Sequence, residues 1–453
     1  MKKLYLYLFF APFFAFSQTG GTPSGGVLET YIQEGLKQNL GLKQERLEIL
    51  KSAENINQAK ANFMPKVTFN PNYSLAAGGR RLNFPIGDLL NPVYATLNQL
   101  TKTNNFPQVE NVNQQLAPNN FHDTKLTFQY PIFNTDIRYN LLIQRDLLSA
   151  QEAKTRVLEN EIRYSITTAY LQYLQTLEAQ KIYNVSRKLL TDFVKLNEKL
   201  VNNNVATKDV VYSAEYEVSK LDQQVAILDK NRQSVQVFLN YLMNRDFLTE
   251  IVADTNLVNH PAQKTALTQI KEEALAHRQE LSQLRTNIKI SETAVKLQEM
   301  NAIRPQFFVG GNIGFQGFGY AFKNQAYSVV QLGLTWDLYH GYEKKSKIQQ
   351  AKIQKNILDT KLEEVKQQIA LQVSQAYFEL EAAQKTLVTA QDGTKKAEKY
   401  FKIVESRYRN GQAIMIEYLR ASDEIITARL QESVGKYDIL VKQAMLDKVG
   451  AVK

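Results

Sequence analysis

The chain has 453 residues, no cysteine and a formal net charge of +10. Without cysteine it can form no disulfide framework and offers no thiol for lipid attachment. The positive charge is spread among many acidic residues and forms no dense basic run, which argues against nucleic-acid binding. Two long tracts, 132–260 and 306–453, contain no proline. They predict uninterrupted helices, because an interior proline costs about 3 kcal/mol.

Residues 1–17 have the composition of a secretory signal peptide. Two lysines precede an apolar stretch, and Ala15 and Ser17 are the small residues expected before a cleavage site. The apolar stretch is too short to be a membrane anchor, which needs about 20 residues. Residues 18–26 are rich in glycine and are predicted to form a flexible linker. We therefore expect an exported chain.

The rest of the chain is predicted to contain one strand–helix–helix unit twice. Met64-Pro65 ends a first helix and Arg304-Pro305 ends its counterpart, because proline disfavours helical structure in the residue before it. Ala169-Tyr170-Leu171 recurs as Ala376-Tyr377-Phe378, an offset of 207 residues (376 − 169). An offset that stays nearly constant along both helical stretches indicates an internal repeat.

The first repeat, 27–245, is predicted to contain a helix, strands at 66–75 and 123–133, and a long helical hairpin at 137–245. A linker follows at 246–263. The second repeat, 264–450, is predicted to contain a helix, strands at 306–315 and 328–338, and a hairpin at 343–449. The hairpins turn at Asn202-Asn203-Asn204 and at Asn410-Gly411, and Thr207 or Asp209 can cap the first returning helix. The loop 76–120 is long enough to be functional or to carry small elements of its own.

Each predicted strand alternates apolar and polar residues over about ten positions, the length that crosses a bilayer at a tilt. One apolar and one polar face suit lipid outside and water inside, whereas in a soluble β-sandwich the apolar face would be a core. Four strands in lipid cannot close a barrel, and open edges leave backbone groups unsatisfied, so the chain would have to oligomerise. The residues predicted to face lipid include Phe69, Phe128, Tyr130, Phe307, Leu334 and Trp336.

Over nearly all of residues 27–449 the chain resembles the TolC-like outer-membrane efflux proteins. The resemblance rests on the doubled unit, on Pro65 and Pro305, and on four segments: Tyr130-Pro131-Ile132-Phe133, Trp336-Asp337-Leu338-Tyr339-His340-Gly341, Tyr408-Arg409-Asn410-Gly411 and Glu417-Tyr418-Leu419-Arg420-Ala421. It implies a homotrimer in the outer membrane of a Gram-negative cell, with a twelve-stranded transmembrane β-barrel (four strands per chain) continuous with a long periplasmic α-helical barrel. It also implies a periplasmic adaptor and an inner-membrane pump of the RND or ABC type as partners, and no cofactor.

In that family the hairpin ends close the periplasmic entrance like an iris. The resemblance assigns this gate to Lys208, Asp209, Tyr408, Glu417 and Arg420. The family's pore-lining aspartates fall on the mixed pair Glu417 and Arg420. Pairing of these residues, between subunits or within one helical turn (i, i+3), could neutralise the ring, so strong cation selectivity is not expected. The alternative for these two residues is an ordinary exposed pair on a helix. Adaptor docking is expected at the turn residues Asn203, Asn204, Val205, Asn410, Gly411 and Gln412.

An enzyme and a periplasmic adaptor are the rival functions. The four histidines are scattered at no metal-ligand spacing, and no HExxH or GxSxG motif occurs, so neither catalysis nor a metal site is expected. An adaptor would have one helical hairpin flanked by compact β-domains, whereas two hairpins are predicted here. The sequence therefore favours an exit duct of a tripartite efflux or type I secretion system, whose substrate is set by the pump.

Overall fold

The computed structural model of the protein describes residues 26–254 and 265–451. The predicted signal peptide, residues 18–25 and residues 255–263 of the predicted linker lie outside the described residues. In chain order the elements are α1 (Val27–Gln38), α2 (Leu40–Ala61), β1 (Lys66–Ser74), β2 (Arg81–Phe84), α3 (Ile86–Thr101), β3 (Val112–Gln115), β4 (Phe121–Phe133), α4 (Thr135–Asn202), α5 (Asp209–Leu242), α6 (Leu267–His277), α7 (Gln279–Ile303), β5 (Gln306–Phe318), β6 (Ala326–Thr335), α8 (Glu343–Arg409) and α9 (Met415–Gly450).

The two predicted hairpins are present. Helices α4 and α8 contain 68 and 67 residues, and each is about 100 Å long at 1.5 Å per residue. Each follows a strand and turns back into a shorter helix, α5 or α9. The loop 76–120 carries small elements of its own, namely β2, α3 and β3.

Four strands form one antiparallel sheet in the order β1-β4-β5-β6. Its registers bring large apolar residues of all four strands onto one face: Val67, Phe128, Gly311 and Val330 are successive partners, and every second residue follows them. The same face carries Phe69, Tyr130, Phe307 and Leu334.

This apolar face is exposed, with Phe69 63% and Leu332 81% accessible. Among the described residues the other sheet consists only of β2 and β3 and leaves this face exposed, so the β-sandwich alternative is wrong. The outer edges of β1 and β6 also lack a strand partner within the described part of the chain. The sheet is therefore open at both edges and apolar on one exposed face.

The last strand is shorter than the predicted 328–338. It ends at Thr335, which pairs with Gln306, the first residue of β5. The next pairing would fall on Pro305, which has no N–H to donate. Trp336 consequently lies just beyond the strand rather than within it, and its side chain is half-exposed.

Each predicted first helix is in fact two helices, and the breaks lie at Asn39 and Arg278. The Asn39 side-chain oxygen accepts hydrogen bonds from the N–H groups of Gly41 and Leu42 at 2.9 and 3.2 Å, which starts α2. Its amide nitrogen donates to the Leu242 carbonyl at 2.9 Å. Propensity along the chain missed this break because the partner carbonyl is 203 residues away.

At the second break an arginine takes the place of the asparagine. Arg278 binds both carboxylate oxygens of Glu280, at 2.9 and 2.7 Å, and donates to the Val449 carbonyl at 3.1 Å. Val449 lies 207 positions after Leu242 (449 − 242), so both break residues reach equivalent carbonyls. The second repeat thus reproduces the break with different chemistry.

Contacts divide the described residues into two units that cut across the repeats. Residues 49–150 and 284–361 hold both sheets, and residues 26–48, 151–254, 265–283 and 362–451 are helical. In the helical unit, positions 207 apart are buried in two separate cores. These pairs include Ile162 and Ile369, Ile166 and Val373, Ala169 and Ala376, and Leu239 and Leu446.

Candidate functional site

Both hairpins end in the same kind of turn. The Val205 N–H donates to the Leu200 carbonyl at 2.8 Å, and the Gln412 N–H donates to the Arg407 carbonyl at the same distance. This six-to-one bond closes a Schellman motif, which requires a left-handed residue after the helix. Asn204 (φ 59°) and Gly411 (φ 69°) supply that conformation. The tip residues predicted from the sequence are therefore the residues that build the turns, with Asn203 and Asn410 bonded to carbonyls of the preceding turn.

Four aromatic side chains lie behind the turns and join the two hairpins. Phe193 of α4 stacks on Tyr418 of α9, with ring centroids 3.9 Å apart and planes 5° from parallel. Tyr408 and Phe401 of α8 pack against this pair at centroid distances of 5.2–5.5 Å. All four rings are buried. We call Phe193, Phe401, Tyr408 and Tyr418 the aromatic cluster; contacts of this kind add about 0.5–1.5 kcal/mol per pair to area burial.

A buried hydrogen bond connects the hairpins at the same level. The Tyr408 hydroxyl donates to the Asn197 side-chain oxygen at 2.6 Å, and the Asn197 amide donates to the Phe193 carbonyl at 2.9 Å. Burial raises the pKa of Tyr408, although the bond to Asn197 acts in the opposite direction. Tyr408 therefore remains a neutral donor. Removing either partner would leave a buried polar group unpaired, which costs about 1–3 kcal/mol.

Within one chain, the hydrogen bonds and ion pairs of four predicted gate residues, Asp209, Tyr408, Glu417 and Arg420, go to residues outside the predicted gate. The Thr207 hydroxyl hydrogen-bonds to Asp209, the first residue of α5, and the cap position is Lys208, which makes no side-chain cap bond. The cap prediction for Thr207 or Asp209 is therefore wrong. Tyr408 is bonded to Asn197, not to Asp209.

Glu417 and Arg420 also have other partners in the chain. Glu417 lies 3.8 Å from Arg407, and Arg420 donates to Glu424 at 3.0 Å, four residues on. No ion pair joins Glu417 to Arg420 within the turn, because each residue reaches an oppositely charged neighbour along another row of the helices; pairing between subunits stays a prediction. Both remain at the end of the second hairpin.

Sequence reasoning missed Asn197 and three of the four aromatic rings. Asn197 is a fully buried polar residue among Phe193, Leu196 and Leu200 in α4. A polar residue on an apolar helix face is the signal that could have found it, since buried amides need a partner. The spacing of residues along α4 does not identify that partner.

A groove of about 530 Å³ runs beside the aromatic cluster between α4 and the end of the second hairpin. Its basic side chains outnumber its acidic ones. The charged residues that line it are Lys188, Asp192, Lys195, Lys199, Glu405 and Arg409.

None of the described helices combines the length and apolar character needed to cross a lipid bilayer. Within residues 26–254 and 265–451, no three His, Asp or Glu side chains are grouped so that they could hold a metal ion.

The fold matches solved outer-membrane channels along nearly the whole chain. OprN, described as an outer-membrane channel, has a TM-score of 0.75 and 15% identity, with 95% of this chain and 91% of that chain covered. VceC, an outer membrane protein of Vibrio cholerae, has a TM-score of 0.72 and 15% identity, covering 93% and 96%. The open-state MtrE channel of Neisseria gonorrhoeae has a TM-score of 0.72 and 14% identity, covering 93% and 88%. The predicted fold, with long helices and four strands per chain, is confirmed.

Sequence comparison gives the same class of protein. Residues 270–450 match the family model of the outer membrane efflux proteins. A search of curated protein sequences finds no match. The matched part of the chain is most of the second repeat, and the match confirms the resemblance identified from the sequence.

Proposed function

We propose that this protein is the outer-membrane exit duct of a tripartite efflux or type I secretion system. The observation that carries the proposal is the open four-stranded sheet with one exposed apolar face, joined to two helical hairpins in the fold of outer-membrane channels. Such a sheet is unfavourable in water and suited to lipid. The adaptor alternative has no support in this fold.

The sheet becomes a closed barrel in a homotrimer. Unpaired backbone groups at an edge cost several kcal/mol each in hydrocarbon, so β1 of one subunit pairs with β6 of the next. Three chains of four strands give twelve, above the minimum of about eight for a bacterial barrel. In this arrangement Phe69, Phe128, Tyr130 and Phe307 face lipid, as does Leu334. Trp336 lies where the barrel meets the periplasm, in line with an interfacial aromatic belt.

The hairpin ends form the periplasmic gate. Within a subunit the aromatic cluster and the Asn197–Tyr408 bond hold the two hairpins together in the resting state. Lys208, Asp209, Glu417 and Arg420 lie at the ends of the hairpins, where they act between subunits. The charges near Glu417 and Arg420 are mixed in sign, which supports weak ion selectivity.

A periplasmic adaptor docks at the turn residues of the hairpins and links the duct to an inner-membrane pump. The groove beside the aromatic cluster favours an adaptor segment with some negative charge, because basic residues predominate in its lining. The duct lies in the outer membrane and extends into the periplasm.

Planar lipid bilayers test this function. The purified protein should run as a heat-modifiable trimer and insert as a pore with a small resting conductance. Alanine substitutions at Asn197 and Tyr408 should raise that conductance. Recovery of the protein in the soluble periplasm, or no pore formation by the intact trimer, would contradict the proposed function.

A further inference from the structure

Helix α3 lies in the segment between β1 and β4. The sheet registers place Ser74, Phe121 and Phe318 at one end of the sheet, and the long helices leave from the other end. If the strands cross the outer membrane as proposed, α3 lies on the outer side. The equivalent connection between β5 and β6 spans only residues 319–325 and holds no helix.

One face of α3 is fixed to the chain segment that follows it. Asn91 exchanges two hydrogen bonds with the backbone of Val109, at 2.9 and 2.8 Å. Asn98, two turns on, does the same with Phe106 at 2.7 and 3.0 Å. At Gly87 the segment approaches so closely that a Cβ would lie 2.3 Å from the Val109 carbonyl oxygen. This face of α3 is therefore packed against its own chain.

The opposite face of α3 is apolar and exposed. Leu89, Val93, Thr96 and Leu100 follow one another at intervals of four, three and four residues, the spacing of a coiled-coil seam. Leu89, Val93 and Leu100 are 64%, 53% and 75% exposed. The Thr96 hydroxyl already donates to the Pro92 carbonyl at 2.8 Å, so it needs no partner across an interface. We call these four residues the α3 seam.

The composition of α3 favours another protein helix over lipid as the cover of this seam. Helices that lie on anionic membrane surfaces carry Lys or Arg on the polar side. Helix α3 contains no basic residue, and Asp88 is its one charged residue. Its polar side is occupied by Asn91 and Asn98, which are bonded to its own chain.

We propose that the α3 seams of the three subunits pack against one another and cap the outer mouth of the channel. The proposal rests on the trimer of the proposed function, because threefold symmetry places three identical seams around one axis. The cap is an interaction surface between copies of this chain. It reduces the apolar surface that each seam exposes alone.

Cysteine cross-linking in the full-length channel tests the cap. The chain has no cysteine of its own, so Val93→Cys introduces a single thiol per subunit. The control is Gln108→Cys, an exposed position in the segment on the other side of α3. Thiols bridge only when their Cα atoms lie within about 7 Å, so oxidised Val93→Cys should give at least about tenfold more covalent dimer than the control. Leu100→Cys should behave like Val93→Cys.

Three further measurements separate the outcomes. The oxidised Val93→Cys protein should keep the size of one trimer in size-exclusion chromatography, whereas a doubled size would mean a contact between trimers and would overturn the cap. A fluorophore attached to the thiol of the Val93→Cys variant should not be quenched by spin-labelled lipid, and quenching would overturn the cap in favour of a membrane-bound helix. Cross-linking no greater than in the control, in a protein that is still trimeric, contradicts the cap alone. A protein that forms no trimer contradicts the proposed function instead.

Discussion

The two hairpins share a backbone turn but differ in the side chains behind it. Both close with a Schellman bond, and Asn204 and Gly411 occupy equivalent positions, 207 residues apart (411 − 204). The position equivalent to Asn197 is Val404, and the position equivalent to Phe193 is Tyr400, which is 40% exposed. The first hairpin therefore supplies the acceptor of the Asn197–Tyr408 hydrogen bond and one ring of the aromatic cluster. The second hairpin supplies the donor of that bond and the other three rings.

This difference shows how a repeat can build a specific contact between its own copies. In two identical hairpins, positions 197 and 404 would carry the same residue, so a buried amide could not be confined to one hairpin. Because the copies diverged at these positions, the Asn197–Tyr408 bond and the stacked Phe193–Tyr418 pair fix one relation between them. The helix breaks show a similar divergence, with Asn39 in one repeat and Arg278 in the other.

The largest effect is expected from Phe193→Ala. This change removes the ring that stacks on Tyr418 and leaves a cavity, so the free energy of unfolding should fall by about 3–5 kcal/mol. The matched control is Tyr400→Ala at the equivalent, exposed position of the second hairpin, which should lose less than about 0.5 kcal/mol. Chemical unfolding in detergent, followed by circular dichroism, measures both. Equal losses would mean that the hairpins are not asymmetric at this level.

A smaller effect is expected from the buried hydrogen bond. Asn197→Val introduces the residue of the equivalent position and leaves the Tyr408 hydroxyl unpaired, which should cost about 1–3 kcal/mol. Adding Tyr408→Phe removes the orphaned hydroxyl, so the double variant should be more stable than the sum of the single losses predicts. Both single variants should also raise the resting conductance. If the two losses of stability are additive and the conductance is unchanged, this hydrogen bond does not help to keep the gate closed.

The helix breaks predict a difference in acid sensitivity. Burial acts to raise the pKa of Glu280, but the hydrogen bonds and charge of Arg278 outweigh it and hold that pKa below its usual value. A carboxyl with a lowered folded pKa stabilises the protein above its unfolded pKa, about 4.3, and this stability is lost as pH falls through the folded pKa. Because Glu280 is partly exposed, the contribution should stay below about 1 kcal/mol.

The Arg278→Asn variant tests this prediction, because it places at the second helix break the asparagine that is found at the first. The variant should keep the break through an asparagine cap and lose the acid-sensitive contribution of Glu280. The unfolding midpoint is measured at pH 7 and at about pH 3, below the usual pKa of a glutamate, and the wild type should lose more on acidification than the variant. Asn39→Ala serves as the control, since it should lower the midpoint equally at both pH values. An identical pH dependence of the wild type and Arg278→Asn would contradict the role given to this pair.

The smallest effect on stability is expected at the hairpin ends. Arg420→Ala removes an exposed ion pair with Glu424 and should change the free energy of unfolding by less than about 0.5 kcal/mol. If Glu417 and Arg420 line the pore, the same change should shift the reversal potential in a salt gradient towards cation selectivity. The control is Lys188→Ala, which lies farther from the turn and should leave the reversal potential unchanged. A reversal potential that does not move would leave Arg420 as an ordinary exposed residue.

The sequence by itself determined the long helices, two of the strands and the turns of this protein. The proline-free tracts predict α4 and α8 to within two residues at their starts, because helices this long tolerate no interior proline. The alternation of apolar and polar residues predicts strands β1 and β4 and the face that they share, because side chains point to opposite sides of a strand in turn. The repeated turn signals Asn202-Asn203-Asn204 and Asn410-Gly411 predict both hairpins.

Only the tertiary structure decided how these elements meet. The breaks at Asn39 and Arg278 depend on carbonyls 203 and 171 residues away. The end of β6 depends on the proline opposite it, and the Asn197–Tyr408 bond joins residues 211 apart. Local propensity carries no information about such partners, because a buried polar group is satisfied by whatever group the fold brings within reach. The repeat therefore could be read from the chain, while the asymmetric contact between its copies could not.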